Sequence, residues 1–134
     1  MKNKRKTSKK KIDFSQEWKN IIFNIIFSII AISIVIIFYE RIILTTILEG
    51  ILGVIGLIKW RSRVTLSIFV LGGVWLSLAE MLIIYMSGAW AFKIPNILHI
   101  IPLWLIFVWA NASAYLYETG KELKKIAEKN EHKR

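Results

Sequence analysis

The sequence predicts an all-α integral membrane protein, a bundle of four transmembrane helices with its N- and C-termini in the cytoplasm. Three observations lead to this prediction: four long apolar runs, basic residues concentrated at alternate junctions, and little chain left over for a soluble domain. Hydrophobic residues make up 55% of the 134 residues, and the formal net charge is +10, a combination typical of membrane proteins. The chain has no cysteine, which excludes disulfides, thiolate metal sites and a cysteine nucleophile.

Each apolar run has about the 20 residues that a helix needs to cross the hydrocarbon core of a bilayer. The predicted spans are residues 21–39, 42–58, 64–87 and 96–117, which together form a transmembrane domain over residues 21–118. The first run is longer than the roughly 7–15 apolar residues of a secretory signal, and no small-residue cleavage site follows it. We therefore expect it to be a retained helix.

The two flanking segments are charged. Residues 1–20 are predicted to be a basic, disordered cytoplasmic tail that lies against anionic lipid headgroups. Residues 119–134 mix Lys with Glu and are predicted to be a solvated helical extension, also cytoplasmic. Nucleic acid is not an expected partner, because the positive residues lie at the ends of the apolar runs.

The distribution of Lys and Arg predicts the orientation. Seventeen of these residues lie in the N-terminal segment, the second junction or the C-terminal segment, and only Arg41 and Lys93 lie in the first and third junctions. An excess of Lys and Arg marks the cytoplasmic side of membrane proteins. The pattern therefore predicts four spans with both termini inside. The expected location is a prokaryotic cell membrane.

Two carboxylates, Glu49 and Glu80, fall within predicted spans. A charged side chain near the centre of a membrane helix is costly, so such residues usually face protein or water. Each glutamate lies seven residues from the outer end of its span, a depth of about 10 Å. Both are candidate catalytic residues, as an acid and a base, although a structural, hydrogen-bonded role is the simpler alternative.

Small residues share a helix face with each glutamate, and such residues let membrane helices approach closely. We therefore expect both glutamates to point into the bundle, where two carboxyl groups within a few Å of each other would share one proton. The two stripes are Glu49, Gly53 and Gly56 on the second span, and Gly73, Ser77 and Glu80 on the third.

Further polar and aromatic residues cluster near the outer ends of the third and fourth spans. With the two glutamates, they suggest an outward-facing polar pocket. The candidate binding residues are His99, Trp90, Lys93, Trp75 and Trp104. Solvation is the simpler explanation for His99, and packing is the simpler explanation for Trp75 and Trp104. With only two histidines and no cysteine, no metal site is expected, and no cofactor motif is present.

Other polar residues of the spans are interpreted as interhelical hydrogen-bonding groups. Asn24, Ser28 and Ala31 form a weakly polar stripe on the first span, and Asn111 lies deeper in the fourth. Each such hydrogen bond contributes about 0.6–2 kcal/mol to helix association.

The residues from Trp75 to Trp109 contain Gly88-Ala89-Trp90, then Pro95, then Pro102-Leu103-Trp104-Leu105. This segment, roughly a quarter of the chain, resembles a pattern in small uncharacterised prokaryotic membrane proteins. The resemblance implies four spans and no established activity.

The tripeptide Trp90-Ala91-Phe92 followed by Pro102 is similar to a segment of the small-subunit lycopene cyclases of prokaryotes. That family places its acidic residues where this chain has Leu103 and Trp104. The acids expected to protonate the polyene are therefore not carried over.

Three functions fit these observations. The preferred prediction is an accessory or scaffold subunit whose small-residue stripes dock a larger membrane protein or a second copy of the chain. The first alternative is a lipid- or isoprenoid-binding protein or enzyme that uses Glu49 and Glu80. The second is a small oligomeric proton-coupled transporter, although small multidrug exporters carry their glutamate in the first span, and this first span has none.

Overall fold

The computed structural model describes residues 15–132, which form four α-helices. The helices are α1 (Ser15–Phe38), α2 (Ile42–Trp60), α3 (Arg63–Ser87) and α4 (Trp104–Glu131). Among the described residues, three helices are long and apolar enough to cross a membrane: Gln16–Phe38 of α1, all of α2 and all of α3. The predicted all-α architecture of four helices is therefore confirmed, and the fourth helix differs in character from the other three.

Tight connections join the first three helices. α2 ends at Arg61, which has a left-handed φ of 49° and donates its backbone N–H to the Leu57 carbonyl at 3.0 Å. Ser62 then caps α3, because its hydroxyl accepts the backbone N–H of Thr65. α3 ends at Gly88, whose φ of 60° is the left-handed conformation that glycine adopts without steric cost.

The predicted fourth span, residues 96–117, is not one helix. Residues 96–103 form an irregular, folded segment in which the Ile97 N–H donates to the Ile101 carbonyl at 2.9 Å. Proline disfavours the helical conformation in the residue before it and is itself favoured at a helix start. Pro102 therefore explains why α4 begins at Trp104 rather than near residue 96.

The described parts of both flanking segments are helical and partly buried. α1 begins at Ser15, so residues 15–20 of the predicted tail are helical, and the Glu17 side chain is buried. Residues 1–14, to which most of the predicted headgroup contact belongs, lie outside the described residues. Residues 119–131 continue α4 as predicted, but Glu122 is buried, so this extension is packed on one face rather than solvated all round.

α4 is the central helix of the bundle. It packs against α1, α2 and α3, whereas α2 and α3 scarcely contact each other. At one end of the bundle, Ile101, Trp104 and Leu105 form a buried apolar cluster. At the other end, α1 and α4 run antiparallel and are joined by Lys129, which donates to Glu17 at 2.5 Å.

Glycine allows α3 and α4 to pack closely. A Cβ atom on Gly73 would lie 2.9 Å from the backbone carbonyl oxygen of Ile106 and 3.0 Å from the Ala110 Cβ. Both distances are shorter than a normal carbon contact of about 3.5–4.0 Å. The predicted stripe on α3 therefore faces α4, and Gly53 and Gly56 of α2 are likewise buried within the bundle.

Candidate functional site

Glu49 has no solvent-exposed surface. The side-chain amide of Asn111 donates to the Glu49 carboxyl at 2.8 Å and to the Glu49 backbone carbonyl at 3.1 Å. The second carboxyl oxygen of Glu49 has no hydrogen-bond partner among the described residues. As predicted, this glutamate points into the bundle, and its partner belongs to α4.

Glu80 is half-buried and has a different partner, the indole N–H of Trp109, which donates to the carboxyl at 2.7 Å. Trp109 and Asn111 are two residues apart, which corresponds to about 200° around a helix. Glu49 and Glu80 therefore lie on different sides of α4. The structure gives each carboxyl its own donor and does not bring the two into one pocket.

The predicted aromatic and histidine binding residues do not converge on either glutamate. Trp104 is buried, and its ring contacts that of Phe92 in an edge-on arrangement at a centroid distance of 5.9 Å. Trp75, Trp90 and His99 are exposed on the outside of the bundle or in the connection before α4. The predicted outward-facing pocket is therefore not assembled from these side chains.

Lys93 forms a separate ion pair with Glu40, with the ammonium nitrogen 2.6 Å from the carboxylate oxygen. The Glu40 carboxylate also accepts the Tyr39 hydroxyl at 3.0 Å. The hydrogen bond from Lys93, followed by the one from Tyr39, lowers the pKa of Glu40, and the hydrogen bond to Glu40 raises the pKa of Lys93. This pair connects the α1–α2 and α3–α4 junctions.

A lateral groove of about 270 Å³ runs between α1 and α4. Its lining is apolar apart from the side chains of Ser28 and Asn111 and the hydroxyl-bearing Tyr115. The lining residues are Phe27, Ser28, Ala31, Ile32, Val35, Ile36, Val108, Asn111, Ala112 and Tyr115. Ile32 and Ile36 are 60% and 68% exposed, so the groove opens on the outer surface of the bundle.

Small side chains on both walls create this groove. Ser28 and Ala31 of α1 face Ala112 of α4, so the two helices leave a gap where larger residues would fill it. Asn111 lies at the floor and connects the groove to the buried Glu49 behind it. The Asn111 carbonyl oxygen is buried without a hydrogen-bond partner among the described residues.

Part of this groove was visible in the sequence and part was not. The polar stripe that contains Ser28 and Ala31 is one of its walls, and Asn111 is its floor, although the sequence alone predicts only helix packing for both. No sequence pattern distinguishes Val108, Ala112 and Tyr115 from other residues of an apolar helix. Alanine and valine are ordinary residues in an apolar helix, and only the packing of α4 against α1 gives them a common surface.

The groove can enclose an apolar ligand of elongated shape, with the buried Asn111 side chain at its floor. This combination of an apolar lining with few polar groups is typical of ligand sites in proteins. Comparison of the chain with protein-family models, with curated proteins and with solved structures gave no match.

Proposed function

We propose that this chain is a four-span membrane protein that binds a lipid or isoprenoid chain in the groove between α1 and α4. Both termini lie in the cytoplasm in this proposal, as the 17 basic residues of the flanking segments and second junction favour. The groove is the observation that carries the proposed binding function, because it opens where lipid chains would surround the bundle.

The proposal requires α4 to cross the membrane although it is the least apolar helix. α2 and α4 run side by side in the same direction, with Glu49 beside Asn111 and Lys59 beside Lys121 at the rim of one cavity. Residues 104–121 of α4 therefore match residues 42–59 of α2 in length and level. Because three helices surround α4, its polar residues meet protein rather than lipid.

The same geometry weakens the argument for an accessory subunit. The glycine and serine stripes that would dock a partner are buried inside this chain: Gly73 packs on α4, and Gly56 packs on Phe27 and Trp60. A lipid-binding role uses a surface that remains open. It also accounts for the small residues Ser28, Ala31 and Ala112 in the groove walls.

Native mass spectrometry of the full-length protein, extracted in mild detergent from its own membrane, tests the proposal. Ala112→Trp fills the groove and should abolish retention of co-purifying lipid. Ala79→Trp is the matched control, because Ala79 lies on the exposed face of α3. Equal lipid retention by the wild type and both variants would overturn the proposal, since ordinary surface lipid does not depend on the groove.

A further inference from the structure

A second cavity, of about 230 Å³, lies between α1, α2 and α4 at the end of the bundle where the basic junction and charged segment meet. Unlike the groove, it is lined mainly by polar and charged side chains. The lining residues are Asn20, Phe23, Asn24, Lys59, Trp60, Glu118, Lys121, Glu122 and Lys125. The glutamates and lysines together give it groups of both signs.

The positive side of this cavity consists of Lys59, Lys121 and Lys125, of which Lys121 is paired with Glu118 at 2.9 Å. Lys59 is exposed and forms no ion pair among the described residues; its ammonium lies 5.6 Å from the centroid of the Phe23 ring. Lys125 contacts one oxygen of Glu122 at 2.7 Å and keeps half of its side chain exposed. An ammonium group has three donors, so both lysines can bind a further anion.

The negative side consists of Glu118, whose carboxyl oxygens both accept from Lys121, and of Glu122. The Glu122 side chain is 6% exposed, and one of its carboxyl oxygens is buried without a hydrogen-bond partner among residues 15–132. A buried carboxylate oxygen without a donor is costly. A ligand that carries only negative charge would face this oxygen, whereas a ligand that also carries a donor would satisfy it.

The cavity adjoins the groove along the same two helices. On α1, Asn24 of the cavity is three residues from Phe27 of the groove, and on α4, Glu118 is three residues from Tyr115. Three residues correspond to about 4.5 Å along a helix. Between the two, the Asn24 side-chain amide donates to the Thr119 hydroxyl at 3.1 Å. A lipid headgroup in the cavity therefore has the apolar groove beside it for its acyl chain.

We infer that this cavity binds the headgroup of a phospholipid with a primary amine, of the phosphoethanolamine class, whose chain occupies the groove. The phosphate lies among Lys59, Lys121 and Lys125, and the ammonium donates to the free oxygen of Glu122. The lipid source is favoured over a soluble phosphate ester because the cavity adjoins the apolar groove. This inference rests on the proposed lipid-binding function.

The test is native mass spectrometry of the full-length protein with an equimolar mixture of three lipids that carry the same acyl chains: phosphatidylethanolamine, phosphatidylcholine and diacylglycerol. The wild type should retain phosphatidylethanolamine about tenfold more than phosphatidylcholine, since choline lacks an N–H donor and one charge-assisted hydrogen bond is lost. Glu122→Gln should bring that ratio close to one.

Lys59→Gln changes an exposed residue and should lower the retention of both phospholipids relative to diacylglycerol. Lys124→Gln, on the exposed face of α4 outside the cavity, is its matched control and should change nothing. Retention of all three lipids without a headgroup preference, or no effect of Lys59→Gln, would overturn the headgroup inference alone. Lipid retention that Ala112→Trp leaves unchanged would overturn the proposal that a lipid binds in the groove.

Discussion

Asn111 is the residue that links the groove to the buried acid of the bundle. Its amide donates twice to Glu49, and its position at the groove floor means that a bound chain would cover it. Gly53 makes this arrangement possible, because a Cβ there would lie 2.8 Å from the Asn111 side-chain oxygen. The glycine and the asparagine therefore form one structural unit.

Replacing Asn111 with Ala should destabilise the fold by about 1–3 kcal/mol, because the Glu49 carboxyl would remain buried without its donor. Unfolding in mixed micelles with increasing SDS measures the change. Asn20→Ala is the control: Asn20 is half-exposed and its side-chain partner is the exposed Gln16, so its cost should stay within about 0.5 kcal/mol. Equal costs for the two variants would contradict the role given to Asn111.

Two glycine substitutions should have opposite effects. Gly73→Ala should destabilise the α3–α4 contact by about 1–3 kcal/mol, because the backbone carbonyl of Ile106 cannot move away from the added methyl group. Gly120→Ala meets no atom within 4 Å and should stabilise α4 by about 0.5–1 kcal/mol through its helix propensity. The same SDS titration compares them, and destabilisation of similar size in both would contradict the packing described for Gly73.

The sequence predicts which residues point into the bundle but not which residues they contact there. The inward direction of Glu49 and the burial of Gly53, Gly56 and Gly73 follow from helical periodicity, and the structure agrees with both. The partners of the glutamates could not be predicted, since equal depth does not define rotation about a helix axis. Trp109 and Asn111 determine those partners, and both belong to a helix whose start the sequence pattern misplaced.

At the scale of the helices, α1, α2 and α3 follow the predicted spans closely because apolar length dominates their pattern. α4 does not, because hydropathy alone cannot tell an apolar irregular segment from a helix. Residues 96–103 are apolar enough to extend the span, yet they fold back on themselves. Ile101 and Pro102 are buried against the bundle, whereas Leu98 and His99 are exposed.

The ion pair between Lys93 and Glu40, which lies in the junctions outside the helices, predicts that the stability of the fold depends on pH. The pKa of Glu40 is lowered below its ordinary value of 4.5 by Lys93, so the pair stabilises the fold above about pH 4.5 and loses this contribution as the pH falls through the folded pKa. Lys93 has a raised pKa and stays protonated throughout this range. NMR titration of the Glu40 carboxyl should therefore show a higher midpoint in Lys93→Gln than in the wild type.

Added salt should shift the wild-type Glu40 midpoint toward that of the variant, because both side chains are more than half exposed and the interaction is screened. Tyr39→Phe serves as a comparison, since it removes only the second hydrogen bond to the carboxylate. Identical midpoints in the wild type and in Lys93→Gln would contradict the ion pair.

At the scale of the whole molecule, one polar helix is surrounded by three apolar ones. This arrangement places Glu49, Glu118 and Glu122 against protein while the exposed isoleucine and leucine side chains face outward. The proposal that α4 crosses the membrane therefore does not require α4 to be as apolar as α1, α2 and α3. The proposed orientation places the second junction and the end of α4 on one side, and the segment before α4 on the other.

The absence of cysteine makes that orientation straightforward to test. Ala91→Cys should react with a membrane-impermeant maleimide added to intact cells, because Ala91 is exposed in the segment between α3 and α4. Lys124→Cys should react only after the cells are permeabilised. Labelling of both variants in intact cells, or the reverse pattern, would contradict the proposed topology.

Photo-crosslinking tests the central claim, that a lipid chain occupies the α1–α4 groove, most directly. The protein would be reconstituted with a phospholipid that carries a diazirine in its acyl chain, illuminated, and digested for mass spectrometry. The account predicts that adducts concentrate on groove residues such as Ala31, Val108 and Ala112. Adducts equally frequent on the exposed face of α3, at Val74 and Leu78, would show that lipid only surrounds the bundle and would contradict the claim.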